Sequence, residues 1–413
     1  MRILSGREAE TEIVRLVARG AQSARLEPKV RRIVNDVRVS GDAALRRYAT
    51  KLDGLKKSQP LRVCDEEMKS AWKSLSPQLR KSLKLAGQNI RRFCEWQKPR
   101  GWKRSHKGIT IRQIVQPLES VGCYVPGGRY PLLSTVLMTV IPAQVAGVNN
   151  IRLVSPNPSA EVLGAAAMFG ISEFYRVGGA QAIAALAYGT SGIPRVDKIV
   201  GPGNAYVTVA KKLVAFDCAI DFLAGPTETV ILSDSGNPLF IASDLVAQAE
   251  HDVAALALFI TTSGKLAKQI AEMCSQLSEG NATAHQSLRK NGAVLIAGSR
   301  EQAREWANRL APEHITIDKK DQSFIRNAGS VFVGDYSAQA AGDYASGPNH
   351  VLPTSGQAQF RGGLSVLDFL RITTVQELSW AGLNRIAPAI EALASAEGLA
   401  AHANSIRVRF EHA

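Results

Sequence analysis

The sequence predicts an α/β protein with mostly parallel sheets, and three observations carry that prediction. From Ile109 onward, short β-branched runs alternate with Ala-rich amphipathic helices, the pattern of βαβ units. There are too many such units for one small sheet, and 413 residues exceed what one hydrophobic core usually fills, so two α/β domains are expected. The flanks differ: Arg7 to about Leu85 is charged and helical in pattern, and after Phe369 the strands stop and a helical tail follows.

In chain order, IVNDVRVSGDAALRRYATKLDGL reads as a helix, a break at Gly41, a second helix and a stop at Gly54. ITIRQIVQP, NIRLVS, EFYRVGG, DKIVGPG, ETVILSD, ALALFIT, AVLIAG, HITI and SVFVG read as strands, with AQAIAALAYG and AYVTVAKKLVAF among the helices between them. Ile241, Leu245, Ala249 and Val253 recur at helical spacing just before LALFITT, so this segment is a helix feeding a strand. VQELSWAGLNRIAPAIEALASAEGLAAHANSI forms the helical tail. Two strand-to-helix junctions are rich in glycine, RVGGAQAIAAL around Gly178 and KIVGPGNAYVTVA around Gly201, and YVPGGRYPL from Tyr124 is a third such loop. Exposed amides at a helix N-terminus favour a phosphate. Neither junction is a full GxGxxG; ordinary turns account for either alone, whereas two in adjacent units favour a dinucleotide or phosphate ligand.

Composition narrows the class. The longest apolar stretch, Leu133 to Val148, contains Pro142 and Gln144 and falls short of the ~20 residues of a membrane span, so no membrane partner is expected. MRILSGREAE has no apolar core of a secretory signal. The five cysteines lie far apart without a CxxC pair, which points away from disulfides and thiolate zinc sites and toward a reducing cytoplasm. The net charge of +14 is concentrated early, notably in RRFCEWQKPRGWKRSHKG, Arg91 to Gly108. With Phe93, Trp96 and Trp102 interleaved, this stretch could grip phosphates and stack bases. No recognition motif accompanies it, so a solvated helix end followed by a loop is the preferred reading and nucleic-acid binding the rival.

The polar constellations carry the chemistry. In AQAEHDVAAL, Gln248 and His251 are three apart and share one helix face. A solvated stripe, a core-edge histidine satisfied by a neighbouring amide, and a metal or catalytic pair all fit that spacing. Glu313 and His314 precede a strand in LAPEHITI, as an exposed connector or as a carboxylate and imidazole for acid–base work near neutral pH. GDYASGPNHVLPT, with Asp343, Asn349 and His350, is constrained by glycines and prolines in the manner of a site wall. Gln248, His251, Asp343 and His402 would form an N/O ligand set without thiolate, compatible with zinc or a harder divalent ion, although no spacing rule links them.

The run IDFLAGPTETVILSDSGNPLFIASDLVAQAEHD, with LAPEHITI, GDYASGPNHVLPTSGQAQFRGGLSVLDFLR and EGLAAHANS, resembles histidinol dehydrogenases. The similarity extends in order through GDAALRRYATKLDGL, YVPGGRYPLLSTVLM, VGGAQAIAALAYGT and VDKIVGPGNAYV, nearly the whole chain. It implies the four-electron oxidation of L-histidinol to L-histidine through an aldehyde, the last step of histidine biosynthesis, consuming two NAD and a water. It also implies one Zn2+ per subunit on Gln248, His251, Asp343 and His402, with Glu313 and His314 as the catalytic pair. By the same resemblance Tyr124, Gln181 and Asn204 contact NAD, and Thr227, Glu397, His314 and the metal ligands face the substrate. His350, on the constrained loop, is added to the substrate-facing set. Thr227 stands where the family more often has serine; it keeps the hydroxyl and adds a methyl.

The implied fold is two incomplete Rossmann-like domains with mostly parallel sheets and helical N-terminal and C-terminal extensions. Residues 1–20 would form the N-terminal extension, and 21–121 with 226–366 the first domain, bearing the metal and catalytic residues. Residues 122–225 would be the inserted NAD-binding domain, and 367–413 a tail completing the partner's site in a homodimer. A related zinc- and NAD-dependent dehydrogenase of another small polar alcohol, such as a sulfonated propanediol, is the rival within enzymes. The full metal set and Glu397, which an imidazole substrate needs, argue against it.

Overall fold

The computed structural model describes residues 1–19, 25–127 and 132–411. The strands are, in chain order, β1 (Arg2–Ser5), β2 (Trp102–His106), β3 (Ile109–Pro117), β4 (Ser120–Tyr124), β5 (Asn150–Val154), β6 (Glu173–Tyr175) and β7 (Lys198–Val200), followed by β8 (Ala219–Ile220), β9 (Glu228–Leu232), β10 (Leu256–Thr261), β11 (Ala293–Ile296), β12 (His314–Ile317), β13 (Ser330–Val333) and β14 (Leu370–Leu378). They form a six-stranded sheet in the order β1-β11-β10-β9-β12-β13, a five-stranded sheet in the order β6-β5-β4-β7-β8, and a three-stranded sheet β14-β3-β2. Every pairing in the first two sheets is parallel, so the α/β class with mostly parallel sheets holds.

By Cα packing the chain divides into two compact units, residues 1–97 with 118–369, and residues 98–117 with 370–413. The first contains both parallel sheets. Central strands β4, β9 and β10 are buried along their whole length, which is why β9 and β10 show no alternation in sequence; β4, SVGCY, was not among the expected strands. Ala9, Ile13 and Leu16 from the helix Gly6–Val17 share a core with Val230, Leu258, Leu295 and Ile315 of the six-stranded sheet. The helix Glu27–Leu52 packs instead beside the five-stranded sheet, with Val30, Val37 and Leu45 in one cluster with Tyr124, Ile183 and Ile199. That grouping differs from the expected assignment of residues 21–121 to the metal-bearing sheet, because the apolar face of this helix matches the helix Gly179–Tyr188. The break at Gly41 is real: its φ of +49° and ψ of −130° interrupt the helical path.

In the second unit β3 pairs antiparallel with β2 and with β14, followed by the helices Trp380–Ala396 and Ala400–Glu411. Both terminal extensions therefore hold a strand besides their expected helices: β1 adds an edge to the six-stranded sheet, and β14 opens the tail. The basic stretch, expected to run from a helix end into a loop, leaves the helix Pro77–Gln97 and becomes the exposed strand β2. Among the described residues no helix is long and apolar enough to cross a membrane.

Candidate active site

Residue pairing puts His314 beside Thr229 and Ile315 beside Val230, so β9 and β12 start together at the amino edge of the six-stranded sheet. Thr227 and Glu228 lead into one strand, Glu313 and His314 into the other. Thr227 Oγ1 donates to Glu313 Oε2 at 2.6 Å, and the Glu228 amide donates to the same oxygen at 3.0 Å. Glu313 is 8% exposed. Burial pushes its carboxyl up to about 7, against the opposing pull of His314, Thr227 and the Glu228 amide. A carboxyl near neutrality can hold or release a proton under working conditions, as a general base requires.

His314 is held on both sides. Its Nδ1 lies 3.0 Å from Gln248 Nε2 and its Nε2 lies 3.3 Å from Asp343 Oδ1. The amide nitrogen can only donate, so Nδ1 accepts and Nε2 carries the hydrogen toward Asp343. Burial lowers the imidazole's affinity for a proton, but the carboxylates of Glu313 and Asp343 outweigh it and the net direction is upward. Asp343 moves the opposite way: burial raises it, and His314, His350 and His251 together bring it below the ordinary carboxylate range. It comes from the short helix Gln339–Tyr344, which Gln339 fastens to the sheet by accepting from Thr229 Oγ1 at 2.6 Å and donating to Thr316 Oγ1 at 3.0 Å. His350 Nδ1 donates to the Asp343 carbonyl at 2.7 Å and burial lowers its pKa, so it presents a neutral ring with Nε2 as acceptor. Asn349 pins that loop by donating to the Met138 carbonyl.

The structure thus brings Thr227, Gln248, Glu313, His314, Asp343 and His350 together. His251 is exposed in the turn after the helix Pro238–Ala249, close enough to act on Asp343 electrostatically. Glu397 and His402 belong to the second unit, both exposed, at the end of one tail helix and within the next. For a divalent ion, Gln248 uses its amide nitrogen on His314 and leaves its oxygen as the donor. With the His251 imidazole and the Asp343 carboxylate this fits zinc or a harder ion in donor chemistry. Among the described residues no three His, Cys, Asp or Glu stand close enough to form a metal group by themselves. The expected set draws one ligand from an amide and another, His402, from the second unit.

Two residues that sequence reasoning passed over support this centre. Glu228 is buried behind Glu313, and Arg19 meets it with two hydrogen bonds, Nε to Oε1 at 2.6 Å and Nη2 to Oε2 at 2.9 Å. The only local signal was an acid opening an apolar strand; its partner lies 209 residues away.

The three expected cofactor residues cluster on the five-stranded sheet. Tyr124 ends β4 and Gly201 follows β7, neighbouring strands at the point where the strand order reverses, where open α/β sheets bind ligands. Gly201 has φ +111°, and a Cβ there would fall 2.2 Å from the Tyr124 carbonyl oxygen, so no other residue fits. Tyr124 Oη accepts from the Gly179 amide at 3.1 Å, and Gln181 is the third residue of that helix, in its first turn. Asn204 caps the helix Ala205–Val214 by accepting from the Tyr206 and Val207 amides. The amides expected to cradle a phosphate are therefore already engaged: Gly178 by Asp53, Gly179 by Tyr124, Gly201 by Asp221. Residues 128–131 of the third glycine loop lie outside the described residues.

The family model described as histidinol dehydrogenase matches residues 17–410. A histidinol dehydrogenase of Methanosarcina mazei is 43% identical, covering 97% of this chain and 96% of that protein, and one of Geobacter sulfurreducens is 42% identical over the full length of both. The crystal structure of histidinol dehydrogenase from Elizabethkingia anophelis superposes with a TM-score of 0.94 at 36% identity, covering 100% of this chain and 98% of that one. Since the likeness spans the acid–base centre, both parallel sheets and the tail rather than a generic α/β core, the chain belongs to the histidinol dehydrogenase family and is an oxidoreductase.

Proposed function

We propose that the protein carries out the whole four-electron oxidation, L-histidinol to histidinal to L-histidine, with two NAD reduced and one zinc ion per subunit on Gln248, His251, Asp343 and His402. The observation that carries the reading is the pairing of a buried carboxyl near neutrality, Glu313, with an imidazole held between Gln248 and Asp343. When bound, NAD supplies the hydride acceptor of each half-reaction and the metal an anchor for the substrate's nitrogen atoms.

The chain's own groups move the protons. His314 takes the proton of the substrate hydroxyl at Nδ1, where the hydroxyl replaces the Gln248 amide as partner, as hydride leaves the carbinol carbon, giving the aldehyde. Glu313, as carboxylate, takes a proton from water as its oxygen bonds to the aldehyde carbon. The aldehyde oxygen takes back the proton that His314 holds, completing the hydrate; as the second hydride leaves the carbon for NAD, His314 takes one hydroxyl proton, and the acid so formed releases its remaining proton to solvent as the carboxylate product. Thr227 steadies the charged form of Glu313, and its hydroxyl is what the family's serine would offer there. His350 faces the substrate with an acceptor nitrogen, and Tyr124, Gln181 and Asn204 contact the cofactor.

In the same proposal the subunits form a homodimer, and Glu397 and His402 complete the partner's site. The decisive measurement is NADH yield from purified protein and L-histidinol, before and after chelation. Two NADH per histidinol, lost on chelation and restored by zinc, is expected. A yield near one with histidinal accumulating would overturn the two-step reading, and activity on a sulfonated propanediol alone would overturn the substrate.

A further inference from the structure

Asp53 follows the helix Glu27–Leu52 and reaches the glycine turn that opens the helix Gly179–Tyr188. Its Oδ2 accepts from the Gly178 amide at 2.9 Å and from Gln181 Nε2 at 3.0 Å. A carboxylate can only accept, so it dictates which way the Gln181 amide points: nitrogen toward Asp53, oxygen away. That oxygen, Oε1, is buried in a side chain 1% exposed and has no hydrogen-bond partner among the described residues. An unpaired buried acceptor is costly, and native proteins keep few of them. On one side it is covered by Gly179, where a Cβ would come within 2.9 Å of it. Among the described residues Asp53 Oδ1 accepts no hydrogen bond and Asp53 forms no ion pair, its two hydrogen bonds both being to Oδ2. The turn therefore holds one sealed acceptor without a donor, Gln181 Oε1, beside a half-buried carboxylate whose Oδ1 takes no donor from the described residues, the two side chains joined through the Nε2–Oδ2 bond. Both its amides are spent on Asp53 and Tyr124.

A phosphate brings acceptors and negative charge, and suits none of this. Two adjacent hydroxyl groups bring two donors and suit it well. We propose that Asp53 is a positioning residue that fixes Gln181 so that this turn receives the vicinal diol of an unphosphorylated ribose, selecting NAD over NADP. The assignment rests on the NAD reading above. A 2′-phosphate would replace one needed donor by a dianion facing the Asp53 carboxylate.

The test is calorimetric binding of NAD and NADP to the full-length protein without substrate, with steady-state kinetics alongside. Wild type should bind NAD at least about ten-fold more tightly than NADP, the scale set by losing one charged hydrogen bond. Asp53→Asn removes the charge and frees the Gln181 amide to turn. NAD affinity should fall about ten-fold, the preference over NADP should shrink, and KM for NAD should rise with kcat at saturation little changed. Gln181→Met removes the unpaired oxygen and leaves Asp53 in place, so it should weaken NAD while NADP stays excluded. It decides the matter if Asp53→Asn does not fold. An unchanged NAD-to-NADP ratio in Asp53→Asn, a loss confined to kcat, or unaltered NAD binding in Gln181→Met overturns the proposal while wild-type NADH production stands. Failure of wild type to bind NAD or to make NADH from histidinol removes this proposal and the functional reading together.

Discussion

Thr227 and the Glu228 amide both donate to one oxygen of Glu313, at 2.6 and 3.0 Å, in a side chain that is only 8% exposed. Replacing Thr227 by valine removes one of two donors to the ionised form, so the carboxyl should climb above its present level of about 7. Thr227→Val should slow histidinal oxidation about ten-fold at pH 7 and regain part of the loss at higher pH. Thr227→Ser should stay within about two-fold of wild type. A valine variant with an unmoved pH profile would remove Thr227 from this role.

The same carboxyl predicts a split between the two halves of the reaction. Glu313→Gln should impair oxidation of histidinal more than oxidation of histidinol, since only the second half needs an activated water, whereas His314→Asn should damage both. Supplying the two substrates separately checks this, and equal losses for Glu313→Gln would contradict it. In wild type the histidinal rate should rise with pH through about 7, because the carboxylate is the working form.

Stability should run the other way. The folded carboxyl holds its proton to about 7, against 4.5 for a free glutamate, so ionisation costs the folded state and stability falls as pH rises across that window. Glu313→Gln, with no charge to bury, should melt a few degrees above wild type at pH 8 and show little gain at pH 5. Thermal unfolding at the two pH values decides it, and a variant less stable at pH 8 than at pH 5 relative to wild type would reverse the sign.

Arg19 and Glu228 form a buried pair, and removing one partner leaves a charge without compensation. Arg19→Met should cost about 3–5 kcal/mol. Adding Glu228→Gln should recover a substantial part of that loss. Denaturant unfolding of the single and double variants measures the coupling; losses that simply add would show the two residues to be independent.

The proposed tail exchange is tested by mixing. Glu313→Gln and His402→Asn subunits, neither of which makes histidine alone, should regain conversion of histidinol through to histidine after mild dissociation and reassociation. The mixed dimer would then contain one site with both defects and one with neither. If each tail serves its own body, every site keeps one defect and the mixture stays inactive.

Sequence legibility followed locality. The buried strands β9 and β10 announced themselves as β-branched and apolar runs, whereas β4, SVGCY, was passed over because only Val121 in it is β-branched; the Gly41 break and Gly54 stop needed only glycine's backbone freedom. β14 was missed because it is largely exposed and carries no clean alternation; what makes it a strand is β3, more than 250 residues earlier. At the site, Glu313 and His314 stood out as neighbours in the chain, Gln248 by its helical spacing from His251 and Asp343 by its constrained loop, but only the resemblance joined them into one set. Asp53 and Gln181 are 128 residues apart, and Arg19 and Glu228 are 209 apart. No period or motif encodes such pairs; they exist only once the sheets have formed.

Because Glu313 rests on a backbone amide, its ionisation has a built-in reporter. A carboxylate is a stronger acceptor than the neutral acid, so the Glu228 N–H should shift in resonance and exchange more slowly with deuterium as Glu313 loses its proton. One nitrogen-15 label at residue 228 would then follow the catalytic carboxyl through its titration in the resting protein, with neither substrate nor cofactor present.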